Sequence, residues 1–217
     1  LAIRLQSAGI RTVLLEKRER PGGRAYVYED EGFTFDAGPT VITAPNAIDE
    51  LFELSGRATG DYVELLPVDP FYRLVWPDGV TLEYNADADA VSSAIARISP
   101  RDVAGYRKFL EFSEAVFRAG YLKLGTVPFQ SFWSMMRVAP QLIRLRSDRS
   151  VYSVVSDYMQ DPHLRQAFSF QSLLIGGNPF HVSSIYALIH ALERQWGVRF
   201  PRGGTGALVR AMVRLFQ

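Results

Sequence analysis

The feature that most constrains the fold of this chain is an acidic residue at the end of a predicted strand, shortly before two adjacent glycines. Residues 1–8 have a helical pattern that Gly9 closes, and the apolar, β-rich segment 11–16 ends on Glu16. A helix, a short loop and a buried parallel strand ending in an acid form the second half of a βαβ nucleotide-binding unit. There the carboxylate accepts hydrogen bonds from ribose hydroxyls and repels a 2′-phosphate, which favours FAD or NAD over NADP. An acid after a strand is also common without any ligand, so Glu16 alone leaves both interpretations open.

Gly22, Gly23 and Arg24 follow that acid and have the chemistry of a phosphate site. Adjacent glycines let the backbone come close to a bulky anion, and the arginine adds a charge-assisted fork for phosphate. Pro-Gly-Gly is also a common solvated turn, so this stretch too has two interpretations when taken alone. Glu16 upstream, and Asp-Ala-Gly-Pro at 36–39 after an alternating strand, together favour the cofactor site.

Composition removes several classes of function. The 217 residues carry 24 Lys and Arg against 23 Asp and Glu, so the basic surplus of a nucleic-acid binder is missing. There is no cysteine, which removes disulfides and thiolate metal sites and indicates that the chain is not built for an oxidising compartment. His163, His181 and His190 lack metal-ligand spacing, and we expect structural or surface roles for them. We therefore predict neither a nucleic-acid partner nor a metal site.

The remainder of the chain is predicted to combine a β-hairpin with many helices. Asp78-Gly79 between two apolar runs predicts a tight hairpin, since Asp-Gly supplies the positive φ that such turns need. Asp161-Pro162 is a typical helix start, a cap residue followed by a first-turn proline. The predicted elements are a helix over 47–55, strands over 71–76 and 80–84, helices from residue 88 onward, a short strand over 198–201, and a final helix after 203–206.

Two segments bear on membranes. Residues 166–192 carry no Asp, Glu, Lys or Arg, but Gly-Gly-Asn-Pro at 176–179 breaks them into two short helices. We expect a buried helix–loop–helix there rather than a transmembrane span.

Residues 119–149 mix aromatic and Met side chains with a run of arginines. This pattern is compatible with an ordinary helical subdomain and with a monotopic membrane face that sets aromatics at the interface and arginines near lipid phosphates.

Longer blocks of the sequence resemble one family. Residues 16–24 match the extended FAD fingerprint of amine-oxidase-like flavoproteins. Residues 24–42, RAYVYEDEGFTFDAGPTVI, are similar to bacterial phytoene desaturases, the carotenoid-forming enzymes. Further blocks with the same resemblance are YVELLPVDPFYRLVW, YLKLGTVPFQSFWSMMR, RQAFSFQSLLIGGNPF and SSIYALIHALERQWGVRFPRGGTGALV. The resemblance covers essentially the whole chain.

The resemblance implies an α/β fold, in which a Rossmann-like FAD-binding domain carries an inserted α+β substrate and membrane-binding domain. Residues 1–66 would be the first section of the FAD domain, 67–200 the substrate domain, and 201–217 the return into the FAD domain. FAD is the implied cofactor, with Glu16 at the adenosine ribose and the two glycines and Arg24 against the diphosphate and ribityl chain. The expected cofactor-binding residues are Glu16, Lys17, Gly22, Gly23, Arg24, Gly38, Pro39 and Thr40.

Both ends of the sequence lie inside helical patterns. The glycine-rich turn of the FAD fingerprint and the C-terminal flavin-contacting segment of such enzymes are missing from it, so we expect a piece of a longer protein. Two or three lost phosphate hydrogen bonds, each worth roughly 1.5–3 kcal/mol, weaken FAD binding about a hundredfold or more. The piece alone is therefore expected to bind FAD poorly and to be inactive.

The activity implied by the resemblance is FAD-dependent desaturation of phytoene, or of a related long polyene hydrocarbon, in carotenoid biosynthesis. A hydrocarbon offers no hydrogen-bond handle, so an apolar tunnel would orient it while the flavin accepts hydride from an allylic C–H. Bacterial relatives often carry charged residues where Trp133 and Ser134 stand, which leaves Arg137 as the nearest charged candidate for a catalytic role. The alternatives are an amine oxidase or a retinol-saturase-like enzyme, a non-redox carotenoid isomerase, and an inactive fragment.

The resemblance also implies a membrane partner. Phytoene is insoluble in water and must be taken from a bilayer, which favours the membrane-face interpretation of residues 119–149. We therefore expect a cytoplasmic protein bound peripherally, as a monotopic protein, to a lipid surface, with no transmembrane helix.

Overall fold

The computed structural model of the chain describes residues 1–123, 136, 140 and 143–217. The chain forms two compact units, one made of Leu1–Val68 with Trp196–Gln217 and the other of Asp69–Gln195. The α-helices described in full are α1 (Ala2–Ser7), α2 (Pro45–Glu53), α3 (Ala88–Ile98), α4 (Val103–Phe117), α5 (Val151–Tyr158), α6 (Pro162–Ala167), α7 (Leu188–Trp196) and α8 (Thr205–Phe216). The strands are β1 (Val27–Asp30), β2 (Phe33–Asp36), β3 (Leu65–Val68), β4 (Tyr72–Val75), β5 (Thr81–Tyr84) and β6 (Val198–Pro201). The domain boundaries expected after residues 66 and 200 stay a prediction.

The first unit contains two antiparallel strand pairs. β1 pairs with β2, and β3 pairs with β6 so that Leu65 faces Pro201 and Val68 faces Val198. The short strand predicted over 198–201 is therefore confirmed. A small core lies under α2 and α8, where Phe52 and Ala211 are fully buried.

The strand predicted over 11–16 is wrong. The segment has no regular secondary structure, and Val13, Leu14 and Leu15 are exposed, Leu15 to 92%. A parallel strand that is buried on both faces needs a neighbouring strand to pair with. Within the part of the chain that the structure describes, every strand belongs to a two-stranded antiparallel sheet, and none pairs with this segment. The helix before it forms as predicted, since α1 ends at Ser7 and Gly9 has a φ of +80°.

The second unit packs a β-hairpin against several helices. The hairpin predicted around Asp78-Gly79 is confirmed: β4 pairs with β5, Gly79 has a φ of +87°, and the Asp78 carboxylate accepts from the Val80 N–H at 3.1 Å. Its core joins side chains from the hairpin and from α3 to α6, among them Leu82, Ile95, Tyr106, Phe109, Val155, Leu164 and Phe168. Fully burying an aromatic or aliphatic side chain of this size contributes about 1.5–3 kcal/mol, so this cluster is the main source of stability in the unit.

Two local features fix the helices of the second unit. Asp161 caps α6 as predicted, accepting from the N–H groups of His163 and Leu164 at 2.9 and 3.3 Å. Gly105 lets α4 approach α5 closely, because a Cβ at this position would overlap the carbonyl oxygen of Tyr158. The α4–α5 contact therefore requires glycine at residue 105.

The charge-free stretch 166–192 is broken into short elements, as predicted, but the predicted burial is only partial, since Leu173, Ile175 and Phe180 are exposed. A 3₁₀ segment at Phe170–Ile175 ends at Gly176, whose φ is +72°, and a second one at Ser184–Ala187 leads into α7. None of the described helices is long and apolar enough to cross a membrane. Most of the predicted membrane face at 119–149, including Trp133, lies outside the described residues.

Candidate cofactor site

The Gly-Gly-Arg stretch forms a tight turn in the first unit. Gly22 and Gly23 have φ values of +148° and +54°, in a region that side chains disfavour, and a 3₁₀ turn follows over Gly23–Ala25. The Ala25 N–H closes this turn on the Gly22 carbonyl at 2.8 Å. Arg24 is exposed and makes no ion pair within the described residues, so its guanidinium is available to an anion.

Gly38 lies directly against this turn. A Cβ added there would overlap the Arg24 carbonyl oxygen and lie 2.9 Å from the Ala25 Cα, both backbone atoms. The neighbouring Ala37 N–H donates to the Tyr26 carbonyl at 3.0 Å, which holds the two segments together. Gly38 therefore allows two backbone segments to touch. Pro39 and Thr40 follow it directly in the chain.

The start of α8 joins the same place. Thr205 donates its N–H to Asp36 Oδ2 at 3.0 Å and its hydroxyl to the Pro39 carbonyl at 2.9 Å. Gly204 has a φ of +80°, and a Cβ on it would lie 2.6 Å from Asp36 Oδ2. The other oxygen, Asp36 Oδ1, is buried without a hydrogen-bond partner in the described structure. Two hydrogen bonds of Thr205 thus hold the start of α8 against the segment 36–39.

Two cavities flank this junction, and both are walled by the 22–25 turn and by α8. One of about 310 Å³ is mostly apolar and is lined by Ala25, Pro39, Thr40 and Thr205, among others. The second, of about 480 Å³, is lined on one side by Tyr26 and by apolar and arginine side chains of α8. Two of the expected cofactor residues, Pro39 and Thr40, therefore face open space beside the turn that carries Arg24.

The structure brings six of the expected cofactor residues together and leaves two apart. The residues that meet at the junction are Gly22, Gly23, Arg24, Gly38, Pro39 and Thr40. Glu16 and Lys17 lie in the exposed segment that forms no strand, where Glu16 Oε1 accepts from the Arg18 N–H at 3.0 Å. Arg137, the catalytic candidate, lies outside the described residues.

Sequence reasoning missed Asp36 and Thr205 as site residues. Both stand in blocks that carry the family resemblance, Asp36 in FDAGPT and Thr205 in PRGGTGALV. Their hydrogen bond joins positions 169 residues apart, and no local pattern reports a pairing over that distance.

Two of the three histidines, His163 and His190, have structural contacts, and His181 is exposed. His190 is 1% exposed, and its Nε2–H donates to the Phe168 carbonyl at 3.1 Å, because a carbonyl can only accept. Burial lowers the pKa of His190 to about 3, so the ring is neutral. His163 Nε2 lies 3.0 Å from an Asp78 carboxylate oxygen. Among the described residues no group of His, Cys, Asp and Glu side chains has the arrangement of a metal site.

Comparison with known families decides the fold. A family described as "Flavin containing amine oxidoreductase" matches residues 1–216. The chain belongs to the flavin-containing amine oxidoreductase family. This membership confirms the predicted fold class and the predicted cofactor, FAD.

The relatives of this flavoprotein chain include bacterial phytoene desaturases. It is 66% identical over 217 residues to the lycopene-forming phytoene desaturase of Pantoea ananas, covering 100% of the chain and 44% of the relative. The lycopene-forming enzyme of a Paracoccus species is 55% identical, with 100% of the chain and 43% of the relative covered. The neurosporene-forming phytoene desaturase of Cereibacter sphaeroides is 40% identical, with 100% and 42% covered. The predicted resemblance is confirmed, and the chain spans less than half the length of these relatives.

Solved structures agree on the fold. Wild-type putrescine oxidase bound to putrescine matches with a TM-score of 0.57 at 14% identity, covering 99% of this chain and 46% of that one. At that identity the likeness concerns the fold alone.

Proposed function

We propose that this chain forms part of an FAD-dependent phytoene desaturase of carotenoid biosynthesis. The observation that carries the proposal is the 55–66% identity, over the whole chain, to lycopene-forming phytoene desaturases. Relatives named as neurosporene-forming are 40% identical, so the identities favour lycopene as the product.

The junction described above fits a dinucleotide cofactor. We assign the diphosphate to the backbone of Gly22 and Gly23 with the Arg24 guanidinium, because backbone N–H groups and a charged fork are the usual ligands of phosphate. Pro39 and Thr40 line the neighbouring cavity, and with Gly38, which contacts the turn, they are assigned to the flavin side. Glu16 and Lys17 are proposed for the adenosine ribose, which requires the 11–16 segment to pair with strands from elsewhere in the protein.

The chemistry divides between cofactor and protein. When bound, FAD supplies the two-electron acceptor that takes hydride from an allylic C–H. The protein's residues have to orient a hydrocarbon without hydrogen bonds, exclude water, and accept the accompanying proton. Arg137 is proposed as the charged group nearest the substrate, and residues 67–200 as the substrate domain between FAD-domain sections 1–66 and 201–217.

A lipid surface is the proposed partner, because a long hydrocarbon substrate partitions into bilayers. We propose peripheral, monotopic attachment of a cytoplasmic enzyme through residues 119–149. Liposome flotation of the wild type and of a Phe132→Ser, Trp133→Ser variant measures this attachment. Unchanged flotation of the variant would contradict the assignment of these residues.

The experiment that tests the function uses protein of the relatives' full length that carries this sequence. It is incubated with FAD and phytoene in liposomes, and the visible absorbance is followed. New conjugated-polyene bands are expected. Protein that holds FAD and leaves phytoene colourless would overturn the substrate and move the function to another flavoenzyme, such as an isomerase or an amine oxidase.

Cofactor binding is measured separately. Arg24→Ala is expected to lower the flavin-to-protein absorbance ratio, because it removes a charged phosphate partner worth roughly 1.5–3 kcal/mol, or about a tenfold to hundredfold change in affinity. Arg57→Ala is the control, since Arg57 is an exposed arginine of the same unit outside the junction. Equal flavin content in both variants would contradict the role of Arg24.

A further inference from the structure

The second unit contains a buried carboxyl group that the proposed chemistry does not use. Glu193, on α7, is 0% exposed, and the hydroxyl of Tyr72 on β4 donates to its Oε1 at 2.6 Å. No described Lys or Arg nitrogen lies within ion-pair distance of this carboxyl. The nearby Arg194 instead donates its Nε–H to the His190 carbonyl at 3.2 Å. An ionised carboxylate in such a place is costly, since burial removes its hydration and no cation replaces it.

The hydrogen bonds around Glu193 indicate where a proton would lie. His190 donates through Nε2 to the Phe168 carbonyl, so its Nδ1 is an acceptor, which the Tyr84 hydroxyl and the Gln171 amide reach at 3.1 and 3.3 Å. Gln171 therefore directs its nitrogen to the imidazole. In the described structure its oxygen Oε1 and Glu193 Oε2 are both buried without a partner. A proton on Oε2 would make the carboxyl group a donor, and the Gln171 oxygen is a buried acceptor on the same network without a partner of its own.

Burial is the largest influence on the protonation of this carboxyl group. Burial raises the pKa of Glu193 to about 7, although the hydrogen bond from the Tyr72 hydroxyl favours the ionised form. The same burial raises the pKa of Tyr84 and of Tyr106, so the neighbouring phenols stay neutral. The titratable and charged groups around Glu193 are Tyr72 on β4, Tyr84 on β5, Tyr106 on α4, and His190 and Arg194 on α7.

We propose that Glu193 is a proton-controlled lock in the substrate unit, in which the neutral carboxyl group joins β4, the 170–175 segment and α7. Its Oε1 accepts from Tyr72, and its protonated Oε2 donates to the Gln171 oxygen. Loss of the proton leaves an unpaired anion among Tyr72, Gln171 and the aromatic core, which weakens the attachment of α7. The unit is therefore tighter in mildly acidic than in alkaline conditions.

The sign of the effect follows from the raised pKa. The contribution of Glu193 to stability is complete below its ordinary pKa of 4.5 and is lost as the pH rises through about 7. The opening constant of α7 rises about tenfold per pH unit in this window, and roughly 300-fold in all. Glu193→Gln keeps a donor and an acceptor in the same shape but does not titrate.

The test is hydrogen–deuterium exchange of the peptide containing α7, in full-length protein, at about pH 5, 6, 7 and 8.5. Comparing the wild type with Glu193→Gln at equal pH cancels the intrinsic exchange rate and the titration of His190. The ratio of their opening constants is expected to rise with pH up to about 7 and then level off. Glu111→Gln, an exposed acid on α4, is the control and should give a constant ratio.

Two outcomes overturn the proposal. A Glu193→Gln ratio that stays constant from about pH 5 to 8.5 shows that the carboxyl does not titrate in this range. A Glu193→Gln protein that fails to fold shows that the site requires an anion, because the amide replaces the neutral acid but not the carboxylate. Tyr72→Phe gives an independent measurement: it removes a donor that favours the ionised form, so the midpoint is expected to move to higher pH.

Discussion

Gly38→Ala adds one methyl group where two backbone segments already touch. Its Cβ would overlap the Arg24 carbonyl oxygen and lie 2.9 Å from Ala25 Cα and 3.0 Å from the Arg24 carbonyl carbon. An ordinary contact begins at 3.4 Å, so the 37–40 segment has to move away from the Gly22–Ala25 turn by at least half an ångström, and by more at the carbonyl oxygen. No side-chain rotation relieves this overlap, because all three atoms belong to the backbone. Overpacking of this kind costs about 1–3 kcal/mol.

The cost falls on the proposed FAD site. A shift of this size separates Arg24 and the turn from Pro39 and Thr40, and misplacement by about 1 Å can cost a hundredfold where several contacts must be made together. We expect full-length Gly38→Ala to retain little flavin after gel filtration, measured as flavin absorbance per protein. Circular dichroism of the same sample checks that the fold persists.

Gly60→Ala is the matched control. Gly60 lies in the same unit, and a Cβ there would meet nothing within 4 Å. Gly38→Ala protein with the flavin content of Gly60→Ala would refute both the close contact and the assignment of the junction to the cofactor.

Three further predictions concern the second unit. Gly105→Ala is expected to lower the free energy of unfolding by about 1–3 kcal/mol, since its Cβ overlaps a carbonyl oxygen of α5. Gly120→Ala, whose Cβ would meet only side chains at 3.5 Å, is its control, and equal urea midpoints would contradict the helix contact. Asp102→Ala should cost about 2–4 kcal/mol in the same assay, because it leaves two main-chain N–H groups before α6 without their acceptor, and a loss below 0.5 kcal/mol would show that they find another. The lowered pKa of His190 contributes stability that is present above its ordinary pKa of 6.5 and lost as the pH falls toward about 3. In a Glu193→Gln background, melting curves should therefore shift downward below about pH 6.5, and a flat profile would contradict the buried neutral imidazole.

The elements predicted correctly from sequence are those that short-range chemistry decides. The hairpin follows from Asp78-Gly79 and its positive φ, and the α6 cap follows from Asp161-Pro162. Both depend on contacts within a few residues, which the sequence displays directly. The glycines of the 22–25 turn could be recognised for the same reason, together with the family resemblance.

The strand that was predicted wrongly and the site residues that were missed all depend on partners distant in the sequence. The 11–16 segment has the composition of a buried strand, but a strand forms only with a neighbour, and composition does not supply one. Asp36 was not singled out as a site residue because its partner Thr205 lies 169 positions away. Glu193 lies four residues after Ile189 on the buried face of α7, a position that could have drawn attention to it.

The pairing of β3 with β6 has a consequence for how this protein folds and diversifies. Val68 and Val198 are directly opposite each other, so the chain leaves and re-enters the first unit at neighbouring positions. Directly opposed residues of antiparallel strands lie about 5 Å apart, which is the geometry in which an inserted domain is tolerated best. The polypeptide between the two valines therefore begins and ends at one strand pair of the first unit. A lengthened or exchanged insert leaves that strand pair unchanged, so the first unit can be combined with different inserts.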